Sequence, residues 1–441
     1  MSNNGRLGRD AAATLAEVLD PSWLLRHRYS VPQFIKQYRA LAARAAAKKL
    51  AGLRAIAPFI MRYITDEKTL VTALRHMEAE GSHTPGPDGL RYVDLTEDGG
   101  WAWCRAIRDT IREGFHSPGA ERVQKIPKGP GRGHRALVLQ SIEERVVARA
   151  VVEVLQPIFD PLFDPRSFGF RPRKGPLRAL ATAEQFYRER GLSVWVSADI
   201  KDAFPSVPVP RLLGVLRKYL PADELIDFLG VVTRPDTMPG LRQGSPSSPL
   251  FLNIYLHHML DRTWRRLHPS VPMLRFADDI LLLCRTPKQA RTAYANLVAM
   301  LRPAGFGLKE SRLDAIRRLA AGAEVNWMGF AIGVAEDGLR YTVTDDAWGS
   351  LAEKLAAAHG KPHSPLAAVA TIAAWVRDKA PCYPHTDLGK AYGRINRLAV
   401  AEGFGEIPSR HEVAGMWQRA FARWCRLRAT VAASDAADNG R

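Results

Sequence analysis

Apolar positions follow two rhythms along the chain. Phe34 to Ile56 is rich in Ala, Leu, Lys and Arg at helical spacing and predicts a helix that Pro58 interrupts. Residues 81–92, GSHTPGPDGLRY, predict a loop. ERVQKIPKGPGRGHRALVLQ (121–140) has apolar-containing arms around a Gly-rich tip, a hairpin pattern with Lys125, Lys128, Arg132 and Arg135 on or beside the turn. Residues 141–158 predict a helix ending at a proline. LSVWVSADIKDAF (192–204) predicts a buried strand with a carboxylate at its end. PMLRFADDILLLC (272–284) predicts two short strands around a turn at Ala277–Asp279, and the block after it a helix ending at Pro303. EVNWMGFAIG (324–333) and LRYTV (339–343) are strand-like, and from Thr344 the pattern is helical and basic. Within MWQRAFARWCRLR, Trp417, Phe421 and Trp424 form one apolar stripe, with Arg419, Arg423, Arg426 and Arg428 on other faces.

Charge narrows the partners. The 441 residues carry 63 Lys plus Arg against 45 Asp plus Glu, a formal charge of +18, so a polyanion is the default partner. Residues 21–65 contain no acid and nine bases, which fits either a nucleic-acid-facing helix or a solvated one. Hydrophobic residues at 46% and charged residues at 24% exclude a disordered chain. No apolar run reaches membrane-spanning length and the N-terminus lacks an apolar signal core, so no membrane partner and a cytoplasmic setting are expected. Cys104, Cys284, Cys382 and Cys425 show no zinc spacing and predict free thiols.

Two strands each deliver a carboxylate, Asp199 from one and Asp278–Asp279 from the other. Carboxylates at neighbouring strand ends could hold Mg²⁺, a hard ion that takes one or two carboxylates plus substrate phosphates. Alone the pattern is weak, because Asp-Asp is common turn chemistry. Between the two lies GLRQGSPSSPLFLNIYL (240–256), a polar Gly-rich loop running into a helix.

Six motifs in order, KIPKGPGRGHRAL, EERVVARAVVEVLQPIFDPLFDPRSFGFRP, ADIKDAF, QGSPSSP, FADD and VNWMGF, resemble bacterial reverse transcriptases of the group II intron-like branch. The resemblance implies an α+β fold. It would be a right-hand polymerase with fingers, a palm on a split βαβ-type sheet and a helical thumb, behind an N-terminal helical extension. The expected division is 1–80, 81–343 and 344–441.

The resemblance also implies site residues. Asp199 and Asp278 would bind two Mg²⁺ ions (Mn²⁺ as a substitute), with the Ile200 carbonyl as a backbone ligand and Asp279 assisting. Phe204 would lie under the sugar and exclude a 2′-OH. The amides of Asp202 and Ala203 would hold the triphosphate, Gln243 would sit beside the incoming nucleotide, and Gly244 would let the backbone approach it. Lys128 and Arg135 would grip phosphates. Arg171 would contact the template or phosphate, and Trp327, Met328, Gly329 and Phe330 would grip the primer or simply pack. Two departures stand out: FADD replaces the family's YADD, and within KESRLDAI Arg312 takes the place of the family lysine. His257 and His258 read as structural, with no third ligand near.

The activity expected is RNA-directed DNA synthesis from dNTPs on an RNA template, extending a DNA primer. The setting favoured is antiphage defence with a dedicated noncoding RNA. The alternatives are an intron maturase without an endonuclease, and a template-independent or protein-primed polymerase.

Overall fold

In the computed structural model, residues 31–80, 85–95, 100–127, 134–233, 239–336, 338–360 and 363–439 are described. The basic N-terminal stretch forms not one helix but two, α1 (Val31–Ala47) and α2 (Lys49–Ile64), followed by α3 (Glu67–Glu80). The break falls at Lys49, whose φ is +52°, not at Pro58. Pro58 lies inside α2 on its exposed side, while the helix's other face is buried. The helices touch at the break, where a Cβ on Gly52 would meet the Ala45 carbonyl oxygen at 2.0 Å. Phe34, Ile35, Tyr38, Leu41 and Ala42 are buried, and the Tyr38 hydroxyl donates to the Val154 carbonyl at 2.7 Å. This segment therefore packs through its apolar face and keeps its bases outside.

After α4 (Trp101–Arg112), β1 (Arg122–Pro127) and β2 (His134–Leu139) pair as the predicted antiparallel hairpin. The next helix, α5 (Ile142–Phe159), is capped by Ser141 and runs past Pro157. It is buried nearly throughout and is followed by α6 (Pro176–Arg190).

The central sheet contains β3 (Val194–Asp199), β4 (Met273–Phe276), β5 (Asp279–Cys284) and β6 (Ile316–Arg318) in the order β4-β5-β3-β6. Every pairing is antiparallel, so β3 and β4 run the same way with β5 inserted between them. Helices α7 (Val209–Tyr219), α8 (Asp223–Thr233), α9 (Ser248–Leu256) and α10 (Arg262–Leu267) make the β3-to-β4 crossover. Alternate residues serve two cores. Val194, Val196 and Ala198 of β3 face the core built with α1–α5, and Trp195 faces the other. Burial on both faces explains the nearly unbroken apolar runs of β3 and β5.

Helix α11 (Pro287–Leu301) covers one core, and the short α12 (Arg312–Ala315) leads into β6. Strands β7 (Val325–Trp327), β8 (Phe330–Ala335) and β9 (Gly338–Val343) form a second antiparallel sheet. Against it pack α13 (Asp345–Ala356), α14 (Ser364–Asp378), α15 (Leu388–Ala401) and α16 (Arg410–Asn439). Trp417 and Trp424 of the predicted stripe are buried with Phe421 half-buried, while Arg419, Arg423 and Arg426 are exposed. Arg428 pairs with Glu184 of α6. All four cysteines are free thiols, and no described helix is long and apolar enough to cross a membrane.

Candidate active site

Antiparallel pairing sets Asp199, the last residue of β3, directly opposite Asp279, the first of β5. Asp278 lies in the two-residue turn between Phe276 and Asp279, and its carbonyl accepts from the Ile200 amide at 3.1 Å. The three acids therefore meet at one end of the central sheet. Ala277 opens the turn with φ +59°, an unusual conformation for a residue with a Cβ.

A buried network holds that turn. Arg275 and Asp261 are each 1% exposed and form a two-pronged ion pair at 2.9 and 2.7 Å. Arg275 Nη1 also donates to the Ala277 carbonyl (2.8 Å) and to Asn253 Oδ1 (2.9 Å). Asn253 Nδ2 donates to the Gly169 carbonyl at 2.9 Å. Gly169 lies so close to the turn that a Cβ there would meet the Ala277 nitrogen at 2.2 Å.

A second strand of chain closes the other side. The Lys309 amide donates to the Asp199 carbonyl at 2.9 Å, and Glu310 Oε2 accepts from the Asp199 amide at 2.7 Å. Lys309 Nζ forms an ion pair with Asp199 Oδ1 at 2.6 Å. The cation that meets Asp199 is thus Lys309, while Arg312 is exposed at the start of α12. Arg312 carries the same sign of charge, but the extended segment before α12 is what runs beside Asp199. The Lys-Glu pair at the head of KESRLDAI was the sequence signal.

The charges do not balance. Burial raises the Asp279 carboxyl to about 7, with the charges of Asp199 and Asp278 adding to the effect. Asp278 is raised by burial and then by Asp199. Burial works against the Lys309 ammonium, but its contact with Asp199 and the neighbouring acids outweighs that and raises its pKa. One ammonium thus faces three carboxylates and Glu310. Among the described residues, no three His, Cys, Asp or Glu side chains close a metal cage by themselves.

The remaining predicted residues lie on the chain after β3, on the loop before α9 and on the β1–β2 hairpin. Asp202 is exposed with φ +46°, Ala203 is buried, and Phe204 is half-buried. The Leu241 amide donates to the Phe204 carbonyl at 2.9 Å. Gln243 and Gly244 pack on β2, where the Val138 amide donates to the Gln243 carbonyl at 2.8 Å. Gly244 has φ +115°, and a Cβ there would meet Leu137 Cδ1 at 2.8 Å. Arg135 stands on β2 opposite Ile126, and Lys128 lies outside the described residues.

Arg171 turns inward, where the resemblance implied a residue reaching outward. It is 9% exposed and donates to Asp160 Oδ1, to the carbonyls of Asp164 and Ser167, and to the Asp160 carbonyl, all at 2.7–2.8 Å. Trp327 and Phe330 are buried, leaving Met328 (φ +51°) and Gly329 (φ +75°) as the turn between β7 and β8. The Lys379 ammonium bonds the Gly329 carbonyl at 3.1 Å and lies 4.1 Å over the Phe330 ring. His257 is buried edge-on to Phe163, and burial pushes its pKa down to about 4, as suits a packed imidazole.

Residues 126–332 match the family described as "Reverse transcriptase (RNA-dependent DNA polymerase)". That stretch is a reverse transcriptase domain, which indicates RNA-directed DNA polymerase activity, and it is similar to group II intron proteins. Protein YkfC of Escherichia coli (strain K12) is 27% identical over 275 residues, 52% of this chain and 71% of that one. Group II intron-encoded protein LtrA of Lactococcus lactis subsp. cremoris is 26% identical over 212 residues, 45% of this chain. The chain spans about a third of LtrA, 34% of its length. A chain of a solved partial Cas6-RT-Cas1–Cas2 complex aligns at 20% identity and a TM-score of 0.34, covering 55% of this chain and 42% of that one.

Proposed function

We propose that this reverse transcriptase adds dNTPs to a primer 3′-hydroxyl opposite an RNA template, with Asp199, Asp278 and Asp279 at the reaction centre. The observation that carries the reading is the meeting of these acids at adjacent strand ends with one ammonium against them. Asp199, Asp278 and the Ile200 carbonyl would hold Mg²⁺, with Asp279 assisting and Mn²⁺ as a substitute. When bound, two such ions activate the attacking oxygen and stabilise the leaving one.

The chain's own groups supply the rest. The amides of Asp202 and Ala203 hold the triphosphate, and the basic hairpin with Lys128 and Arg135 grips it from the other side. Gln243 lies beside the nucleotide, and Gly244 lets that loop seat closely against β2. The Phe204 ring fills the space a 2′-hydroxyl would need, which selects deoxynucleotides. Lys309, kept protonated by Asp199, carries on Nζ a proton to offer the departing pyrophosphate.

In this reading residues 81–343 are fingers and palm, 344–441 the thumb, and 1–80 a basic extension. The template–primer lies along the basic surface, so affinity falls steeply with salt. The setting we favour is antiphage defence in the cytoplasm with a dedicated noncoding RNA. Primer extension on poly(rA)/oligo(dT) with Mg²⁺ tests the chemistry. Incorporation that disappears in Asp199→Ala is expected, and equal signals from both proteins sink it. Sequencing the RNA that copurifies tests the setting: an intron ribozyme in place of a fixed noncoding RNA overturns the defence role.

A further inference from the structure

The inward turn of Arg171 leaves a question about its neighbour. Ser167, Phe168 and Arg171 are buried, yet Phe170 between them is 48% exposed. Its φ of +56° is a conformation that a residue with a Cβ rarely adopts. The segment is pinned on both sides: Arg171 by its four bonds, Gly169 by Asn253 and the catalytic turn, and the Phe170 carbonyl by Gln156 Nε2 at 3.2 Å. A strained backbone held this firmly presents its side chain in one direction. That direction is toward Phe204, whose ring centroid lies 6.3 Å away at 54°, within the range of favourable aromatic pairs.

Phe204 is half-buried: it packs against the main core, and the Leu241 amide holds its carbonyl, while Phe170 is its aromatic neighbour. A ring that excludes one oxygen atom must stay within a fraction of an ångström of its place. A neighbour that restricts its rotation supplies that precision.

We propose that Phe170 is a specificity-determining positioning residue: its ring buttresses Phe204 and so sets how strictly the 2′-hydroxyl is rejected. The inference rests on the sugar-excluding role given to Phe204 above. Through the Gly169–Ala277 contact and the Asn253–Arg275 bonds, the same segment ties the buttress to the turn that carries Asp278. Sugar selection and the metal-binding turn are then built on one rigid unit.

The test is single-nucleotide incorporation on a primer–template, comparing kcat/KM for a dNTP and the matching rNTP. Phe170→Ala is expected to lower the dNTP preference about threefold to tenfold, the value of one aromatic pair. Phe170→Gly relieves the strained φ and folds at least as well, so it must show the same loss. Phe170→Tyr keeps the ring and restores selectivity. In the double variant with Phe204→Ala, removing Phe170 adds nothing further, because a buttress without its ring has no work. Wild-type selectivity in both Phe170→Ala and Phe170→Gly, beside a loss in Phe204→Ala, overturns the buttress alone. Unchanged selectivity in Phe204→Ala overturns the sugar-excluding reading together with it, and absence of any incorporation by the wild type overturns the polymerase reading.

Discussion

Two acidic sites are joined through Arg275 and one turn and are treated in opposite ways. Asp261 is buried and fully neutralised, with Arg275 gripping both its oxygens. Asp199, Asp278 and Asp279 share one half-exposed lysine, and Asp279 is pushed up to about 7. A buried carboxylate with its own guanidinium is a strut, because no further cation improves it. Carboxylates gathered with too few cations are in a poor ground state alone and in a good one beside divalent ions. The first site holds the turn on which the second stands, through the Arg275 bond to the Ala277 carbonyl. Structure and chemistry are thus divided between two groups of the same residue type.

Substitutions can break this contrast. The largest effect is expected at the reacting acids. Asp278→Asn should lower incorporation at least about a hundredfold while leaving the melting temperature equal or higher, since it removes repulsion. A marked loss of stability would make Asp278 a strut like Asp261. Next, Arg275→Met leaves Asp261 buried and unpaired, at a cost of about 3–5 kcal/mol read from denaturant unfolding. Adding Asp261→Leu should recover much of it, and no recovery would mean the pair is not the source.

The pH dependence comes third. A carboxylate whose folded pKa is raised favours the folded state when protonated. That contribution is full below the unfolded value near 4 and lost as pH rises through about 7. Without divalent ions, the melting temperature should therefore drift down from pH 5 to 8, and Asp279→Asn should flatten the drift. Mg²⁺ should oppose it, since the ion binds the ionised acids. The same slope in Asp279→Asn as in wild type would remove Asp279 from the account.

The smallest effect is expected at a pair of identical chemistry on the surface. Arg340 and Glu324 lie 2.8 Å apart, both nearly half exposed. Arg340→Ala should cost less than about 1 kcal/mol.

Much of the centre was legible in the chain. The apolar runs of β3 and β5, each bounded by acids, announce strands that end at one place. The Gly-rich tip between β1 and β2 announces a hairpin. What misled was direction. Arg171 sits in a basic, loop-like stretch, and nothing along the chain says that its guanidinium turns inward to three carbonyls and Asp160. Lys309 and Arg312 carry the same charge three residues apart, and only the folded chain shows that Lys309 is the one held against Asp199. Pro58 looked like a breaker because helix rules count the missing bond and not the burial of the helix's other face.

Periodicity and motif order by themselves determined which segments are strands, where the acids stand on them and which family the motifs resemble, since these follow from local residue preferences and their order along the chain. The tertiary structure decided which cation meets which acid, which acids are left in want of one, and that Phe170 rather than Arg171 faces outward. Those choices depend on burial and on contacts between segments distant along the chain, and electrostatic energy changes severalfold with both.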